Sequence, residues 1–192
     1  MKTIILASAS PRRKELLKKL GLKFKVEPSD YEEERHYELE PHELARKLSL
    51  AKARDVATKY ENAIIIAADT FGILDDKVLG KPHNEAEAKK ILEMISGRCH
   101  SVITGFTIID TESNKTLSRS VETKVFIKKL TPAEISAYVK LKEPLDKAGA
   151  YAIQGIGSVI VERIEGDYYN VIGLPLAALA ESLREFGVNI LR

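Results

Sequence analysis

Cysteine is almost missing: Cys99 is the only one in 192 residues. An intrachain disulfide is therefore impossible, and a disulfide-stapled scaffold is excluded. Long apolar runs are missing as well. The opening Met1-Lys2-Thr3-Ile4-Ile5-Leu6 is too short an apolar stretch for a signal peptide. No segment approaches the ~20 apolar residues that a membrane span needs. A cytosolic protein without a membrane partner is the expectation. An excess of one charge is also lacking. The chain carries 30 Lys and Arg against 28 Asp and Glu, a net +2, too even to argue for a nucleic-acid surface. Any basic site must be local. Repeats, low-complexity tracts and Pro/Gly/Ser linkers do not occur. His36, His42, His83 and His100 have no ligand spacing, which argues against zinc. A hard cation such as Mg²⁺, held by carboxylates, suits the inventory better.

What is there is ordinary for a globular protein, 44% hydrophobic and 30% charged, and the length suits one domain over residues 1–192. Ile4 to Ala7 reads as a short buried strand. Pro11 to Leu20 reads as a helix stopped at Gly21, and Leu22, Phe24 and Val26 alternate with charged residues as in a half-buried strand. Pro41 to Tyr60 reads as a helix. Ala63 to Ala68 is apolar on both faces, like a central strand, with Asp69 ending it and a hairpin following at Asp75-Asp76-Lys77. Asn84 suits the N-cap of a helix ending near Ser96-Gly97. Long strands are expected over His100–Ile109 and Leu117–Lys128. Thr131-Pro132-Ala133-Glu134 is a capping box. A strand over Ser158–Ile164, a helix over Pro175–Phe186 and a short final strand complete the pattern. Strands and helices in mixed order argue an α/β or α+β sheet with helices around it.

Three places carry chemistry. Ala7-Ser8-Ala9-Ser10-Pro11-Arg12-Arg13 joins a buried strand to a helix. Ser10 can cap and Pro11 suits the first helical position. Arg12 and Arg13 then oppose the helix dipole, a conflict that a bound anion would remove. Two solvated arginines on a surface helix are the plain alternative. Asp69 follows an apolar strand, as ligand-facing carboxylates do at the carboxyl end of open α/β sheets; a cap or turn aspartate would look the same. Leu79-Gly80-Lys81-Pro82 is not a Walker loop, because Asp75 stands where the first glycine belongs and Pro82 replaces the Ser or Thr. Lys81 on a tight turn can still reach a phosphate, or simply be solvated. Weaker candidates are the Glu32–Glu34 charge run, Lys52 amid small residues in a helix, and Gln154. The last is an amide among apolar residues and glycines, suited to a base edge or to a turn hydrogen bond.

These segments together resemble the Maf family of nucleotide pyrophosphatases over nearly the whole chain. The resemblance rests on Leu6-Ala7-Ser8-Ala9-Ser10-Pro11-Arg12-Arg13, Ala68-Asp69-Thr70, Leu79-Gly80-Lys81-Pro82, Ser96-Gly97-Arg98 and Asp146-Lys147-Ala148-Gly149-Ala150-Tyr151. It rests also on Ile153-Gln154-Gly155 and the run Gly166-Asp167-Tyr168-Tyr169-Asn170-Val171-Ile172-Gly173-Leu174-Pro175. The resemblance implies an elongated α/β fold: a mixed sheet flanked by helices with a central cleft, similar to inosine triphosphate pyrophosphatases, and commonly a homodimer. It implies hydrolysis between the α and β phosphates with Mg²⁺, Mn²⁺ or Co²⁺. By motif match, Asp69 is the catalytic carboxylate. Ser8, Arg12, Arg13, Glu33, Lys52 and Lys81 match the phosphate and metal cluster, with Asp69 and Glu33 as metal ligands. Arg12, Thr70 and Gln154 match positions that set base preference.

The Ile-Gln-Gly and Tyr-Tyr-Asn pieces resemble the branch acting on dTTP, UTP and modified pyrimidine nucleotides. The branch acting on 7-methyl-GTP usually has glutamate where Gln154 stands. Phe71-Gly72, Ala152 and His83 depart from the family pattern and bear on substrate preference more than on the reaction. Two alternatives stand beside this reading: a purine-directed pyrophosphatase, and a nucleotide-binding cell-division regulator without turnover.

Overall fold

Ile4, Ile5 and Leu6 are apolar on every side, and they form the buried strand β1 (Thr3–Leu6). The computed structural model describes residues 2–31 and 39–191. The described elements after β1 are α1 (Pro11–Lys19), β2 (Phe24–Val26), α2 (Pro41–Ala57), β3 (Ala63–Leu74), β4 (Lys77–Leu79) and α3 (Glu85–Ile95). Next come β5 (Cys99–Asp110), β6 (Thr116–Ile127), α4 (Pro132–Lys140), β7 (Val161–Glu165), α5 (Tyr168–Ile172) and α6 (Leu176–Arg184). The strands make one mixed α/β sheet in the order β2-β1-β3-β5-β6-β7, with β4 paired to β3. This is the helix-flanked mixed sheet expected. No helix among the described residues is long and apolar enough to cross a membrane.

The chain forms two compact units. The first contains Met1–Asp69, Thr104–Val121 and Gly173–Arg192. Here β1 pairs in parallel with both β2 and β3, Leu6 standing opposite Val26 and Ile66. Side chains alternate faces along a strand. Ile5 and Ala7 therefore share a face with Ala63, Ile65 and Ala67, and that face is covered by Ala53 and Val56 of α2. At Gly105 the helix lies directly on the sheet: a Cβ there would sit 2.1 Å from the Ala45 carbonyl oxygen. Only glycine allows so close an approach of two backbones.

The second unit contains Thr70–Ile103 and Glu122–Ile172. Its core gathers Leu74 and Leu79 of the β3–β4 hairpin, Ala88, Leu92 and Ile95 of α3, Ile135, Tyr138 and Val139 of α4, and Tyr151. The expected caps are present. The Asn84 side chain accepts from Glu87 N–H, and Thr131 and Glu134 form the reciprocal capping box.

Three expectations are corrected. Strand β3 does not end at Asp69 but runs on to Leu74. Thr70, Phe71 and Ile73 favour extended backbone. The two-residue turn Asp75-Asp76, with φ of 49° and 61°, folds β4 back so that Leu74 pairs with Lys77. The segment expected as a strand from Ser158 instead coils as a 3₁₀ turn over Gly155–Ile160, and extended structure begins at Val161. The Ser158 hydroxyl, donating to the Gly155 carbonyl at 2.7 Å, closes that turn. No final strand occurs among the described residues. Gly187, at φ 74°, and Val188 instead close the end of α6, their N–H groups donating to the Arg184 and Leu183 carbonyls.

Candidate active site

In the first unit, the chain leaves β1 at Ala7, whose N–H donates to the Ile66 carbonyl at 2.8 Å. It then turns into α1. Ser10 is the N-cap and accepts from Arg13 N–H, and Pro11 is the first helical residue. Ser8 is buried. Its Oγ accepts from Ser10 N–H at 3.2 Å and from Arg13 Nη1 at 3.3 Å. Arg13 Nε donates to the Gly173 carbonyl at 2.9 Å. Arg13 thus braces Ser8 and ties the strand–helix turn to the segment that leads into α6. Arg12, the next cation at this helix start, is half-buried.

Lys52 and Asp69 meet on the α2 side of the sheet. Asp69 continues the alternation of Ala63, Ile65 and Ala67, and Lys52 lies one turn before Val56 on α2. The Lys52 ammonium donates to Asp69 Oδ1 at 2.5 Å, with only 14% and 10% of the two side chains exposed. Ser8 lies two residues past Leu6, and Asp69 three past its partner Ile66. The serine–arginine turn and the lysine–aspartate pair thus follow the same end of the β1–β3 pairing. Strand β1 ends at this point, whereas β3 continues past Asp69 beyond the end of its parallel neighbour.

Thr70, Lys81 and Gln154 belong to the second unit. Thr70 is half-buried, while Lys81 and Gln154 are exposed. The turn carrying Lys81 is fixed by Gly80, whose carbonyl accepts from Gly149 N–H at 3.1 Å. That bond joins it to the segment leading to Gln154. Gln154 precedes the 3₁₀ turn over Gly155–Ile160, and its side chain makes no cap hydrogen bond there. Glu33 lies outside the described residues. Among the described residues no group of three or more His, Cys, Asp or Glu side chains gathers as a metal site.

His36 lies outside the described residues, and the other histidines gather in no metal site. His42 Nδ1 lies 3.1 Å from Ser120 Oγ, and His83 is exposed. His100 is buried against Tyr151, Nε2 standing 2.8 Å from the phenol oxygen, with Nδ1 unpartnered among the described residues. Burial pushes the His100 imidazole down to about 4. Between that value and the ordinary 6.5, the unfolded chain holds a proton that the folded chain does not. Stability is therefore expected to fall as pH drops through this window, by on the order of 3 kcal/mol from this residue. Urea unfolding at pH 7.5 and pH 5 checks it. Because pH 5 still lies above the folded value, the difference should shrink by about 2 kcal/mol in His100→Gln, and an equal difference in both proteins would contradict it.

Sequence reasoning missed the clamp on the Gln154 loop made by Tyr138 and Glu143. Tyr138 OH accepts from Ala152 N–H at 3.1 Å and Glu143 Oε2 from Gly157 N–H at 2.8 Å. The glycines at 155 and 157 signal a close backbone approach, but not what approaches.

A mixed, helix-flanked sheet carrying a capped basic turn and a buried lysine–aspartate pair defines an α/β protein with its polar residues gathered past the end of a buried strand. The Maf-like protein family model matches residues 3–186. A dTTP/UTP pyrophosphatase of Methanococcoides burtonii is 51% identical over 191 residues, covering 99% of this chain and 98% of that protein. Those of Thermoanaerobacter sp. and Bacillus cereus are 52% and 46% identical, covering 98% and 99% of this chain and 99% and 93% of theirs. The chain belongs to the family of Maf-like proteins.

Proposed function

We propose that this chain is a nucleoside triphosphate pyrophosphatase. It hydrolyses dTTP and UTP, with modified pyrimidine relatives, to the monophosphate and pyrophosphate. The observation that carries this is the buried Lys52–Asp69 pair, in a chain about half identical along its whole length to proteins named for that activity. A binder of triphosphates gains nothing from a buried anion beside its cations. A hydrolase needs one to orient and deprotonate water. The nucleotide-binding regulator without turnover is the weaker reading for that reason.

In this reading the water oxygen bonds to the α-phosphorus as the bridge to the β-phosphate breaks, and pyrophosphate departs with the bonding pair. Asp69 takes the water's proton. Lys52 fixes the Asp69 carboxylate through Oδ1. Arg12 and Lys81 hold phosphate oxygens, while Arg13 keeps Ser8 in place for another. Positioning and charge neutralisation are most of what phosphoryl transfer requires.

The donor set fits a hard divalent cation. Mg²⁺ takes one or two carboxylates and fills its shell with water and substrate phosphates. Asp69 would hold it, with Glu33 as the second carboxylate, and when bound it supplies charge neutralisation and polarisation of a phosphoryl oxygen. The same reading makes the protein a cytosolic homodimer with no nucleic-acid or membrane partner.

Release of pyrophosphate from a panel of dTTP, UTP, CTP, GTP, ATP and 7-methyl-GTP tests the proposal. Highest kcat/KM is expected for dTTP and UTP. Preference for a purine would move the chain to the other branch, and binding without release would return it to the regulator.

A further inference from the structure

Gln154 sits on a loop whose two ends are held by one pair of side chains. Tyr138, buried near the end of α4, accepts from Ala152 N–H through its hydroxyl at 3.1 Å. Glu143 begins the turn after α4, set by Lys142 at a left-handed φ of 59°. Its Oε2 accepts from Gly157 N–H at 2.8 Å. The loop backbone presses on both. A Cβ at Gly155 would lie 2.3 Å from Glu143 Oε1, and one at Gly157 would lie 2.3 Å from the Tyr138 hydroxyl. The Gly157 position would also meet the Ala152 carbonyl oxygen at 2.4 Å, so the two ends of the loop touch. Between them Gln154 is exposed and caps nothing. A six-residue loop this closely tied, with an idle amide at its tip, is built to present that amide rather than to bury it.

Resting on the reading of Gln154 as the base-recognition residue, we propose that Tyr138 and Glu143 are its positioning residues. They hold both ends of the loop, so that the amide meets the N3–H and carbonyl edge of uracil or thymine at a fixed place. An amide offers one acceptor and two donors, which match that edge only if its orientation is set before the base arrives. Without the clamp, the loop must be ordered at each binding event, and binding bears that cost. Neither residue touches the triphosphate in this arrangement. Their effect therefore belongs to base binding and not to bond cleavage.

The test uses the full-length protein with Tyr138→Phe, Glu143→Ala, Glu143→Gln and Gln154→Ala. The readouts are kcat and KM for dTTP, UTP and GTP, inhibition by pyrophosphate, which carries no base, and melting temperature. Tyr138→Phe and Glu143→Ala should raise KM for dTTP and UTP roughly 3–10-fold, the scale of one ordering cost. The pyrimidine-to-purine ratio should fall with it, while kcat and pyrophosphate inhibition stay within about twofold. Glu143→Gln, which keeps an acceptor for Gly157 N–H, should restore the wild-type KM. A merely structural role would instead lower the melting temperature and leave the base ratio unchanged in the folded fraction, and would overturn the proposal. Weakened pyrophosphate inhibition in parallel with KM would overturn it too. If Tyr138→Phe does not fold, the contrast between Glu143→Ala and Glu143→Gln decides. If Gln154→Ala shifts the base ratio but the clamp variants do not, the clamp is wrong and base recognition stands. If Gln154→Ala leaves the ratio unchanged, the base-recognition reading falls and the clamp falls with it.

Discussion

Asp69→Asn is expected to lower turnover by roughly 10²–10⁴-fold, the loss typical of a positioned base, with the fold preserved. Asparagine has the shape of aspartate and keeps an oxygen where Lys52 donates at 2.5 Å, so the side chain stays in place. What disappears is the negative charge and the capacity to accept a proton from water. The flanking Ala67 and Ala68 are fully buried on β3 and are untouched, which separates chemistry from folding. KM should change much less than kcat if the residue acts in the transition state rather than in ground-state binding. Pyrophosphate release measured beside a thermal melt checks the pair of expectations. Turnover near wild type in a folded Asp69→Asn protein would remove the residue from the mechanism.

How far the sequence alone reaches is plain at this residue. The apolar run from Ala63 to Ala68 identifies a central strand because burial on both faces demands it. It does not locate the end of that strand. The end depends on a hairpin partner, β4, and on two aspartates in left-handed backbone at the turn. The caps at Ser10, Asn84 and Thr131 are legible because each is a local event spanning four residues. The strand expected over Ser158–Ile164 begins only at Val161, because the preceding residues belong to a 3₁₀ turn that Glu143, in a different element, holds through Gly157 N–H. The sequence marks Lys52 and Asp69 singly but does not show that they pair. That pairing depends on α2 lying across the odd-numbered face of β3, which Gly105 permits by letting the helix backbone rest on β5. The family resemblance marks Arg13 for the phosphate cluster but does not show what else holds it. The structure gives two of its nitrogens to Ser8 and Gly173, a partner 160 residues away that no local pattern reveals.

Exhaustive dialysis against EDTA is expected to abolish pyrophosphate release, and Mg²⁺ or Mn²⁺ to restore it. A resident zinc site would need three or four protein ligands, mostly histidine and cysteine, and among the described residues no such group gathers. His42 and His100 are engaged with Ser120 and Tyr151, and Cys99 is a lone exposed thiol. The buried carboxylate of Asp69 is a hard oxygen donor of the kind Mg²⁺ and Mn²⁺ prefer, and these ions need few protein ligands when a triphosphate completes their shell. Loss of activity in EDTA would follow even if the cation were needed only to screen the free nucleotide. A second measurement therefore fixes the site: Mn²⁺ binding to the nucleotide-free protein, read by electron paramagnetic resonance. Binding to the wild type that is lost in Asp69→Asn places the cation on this carboxylate. Full activity in excess EDTA, or restoration by Zn²⁺ alone, would show that the carboxylate serves without a hard cation and that the donor argument is wrong.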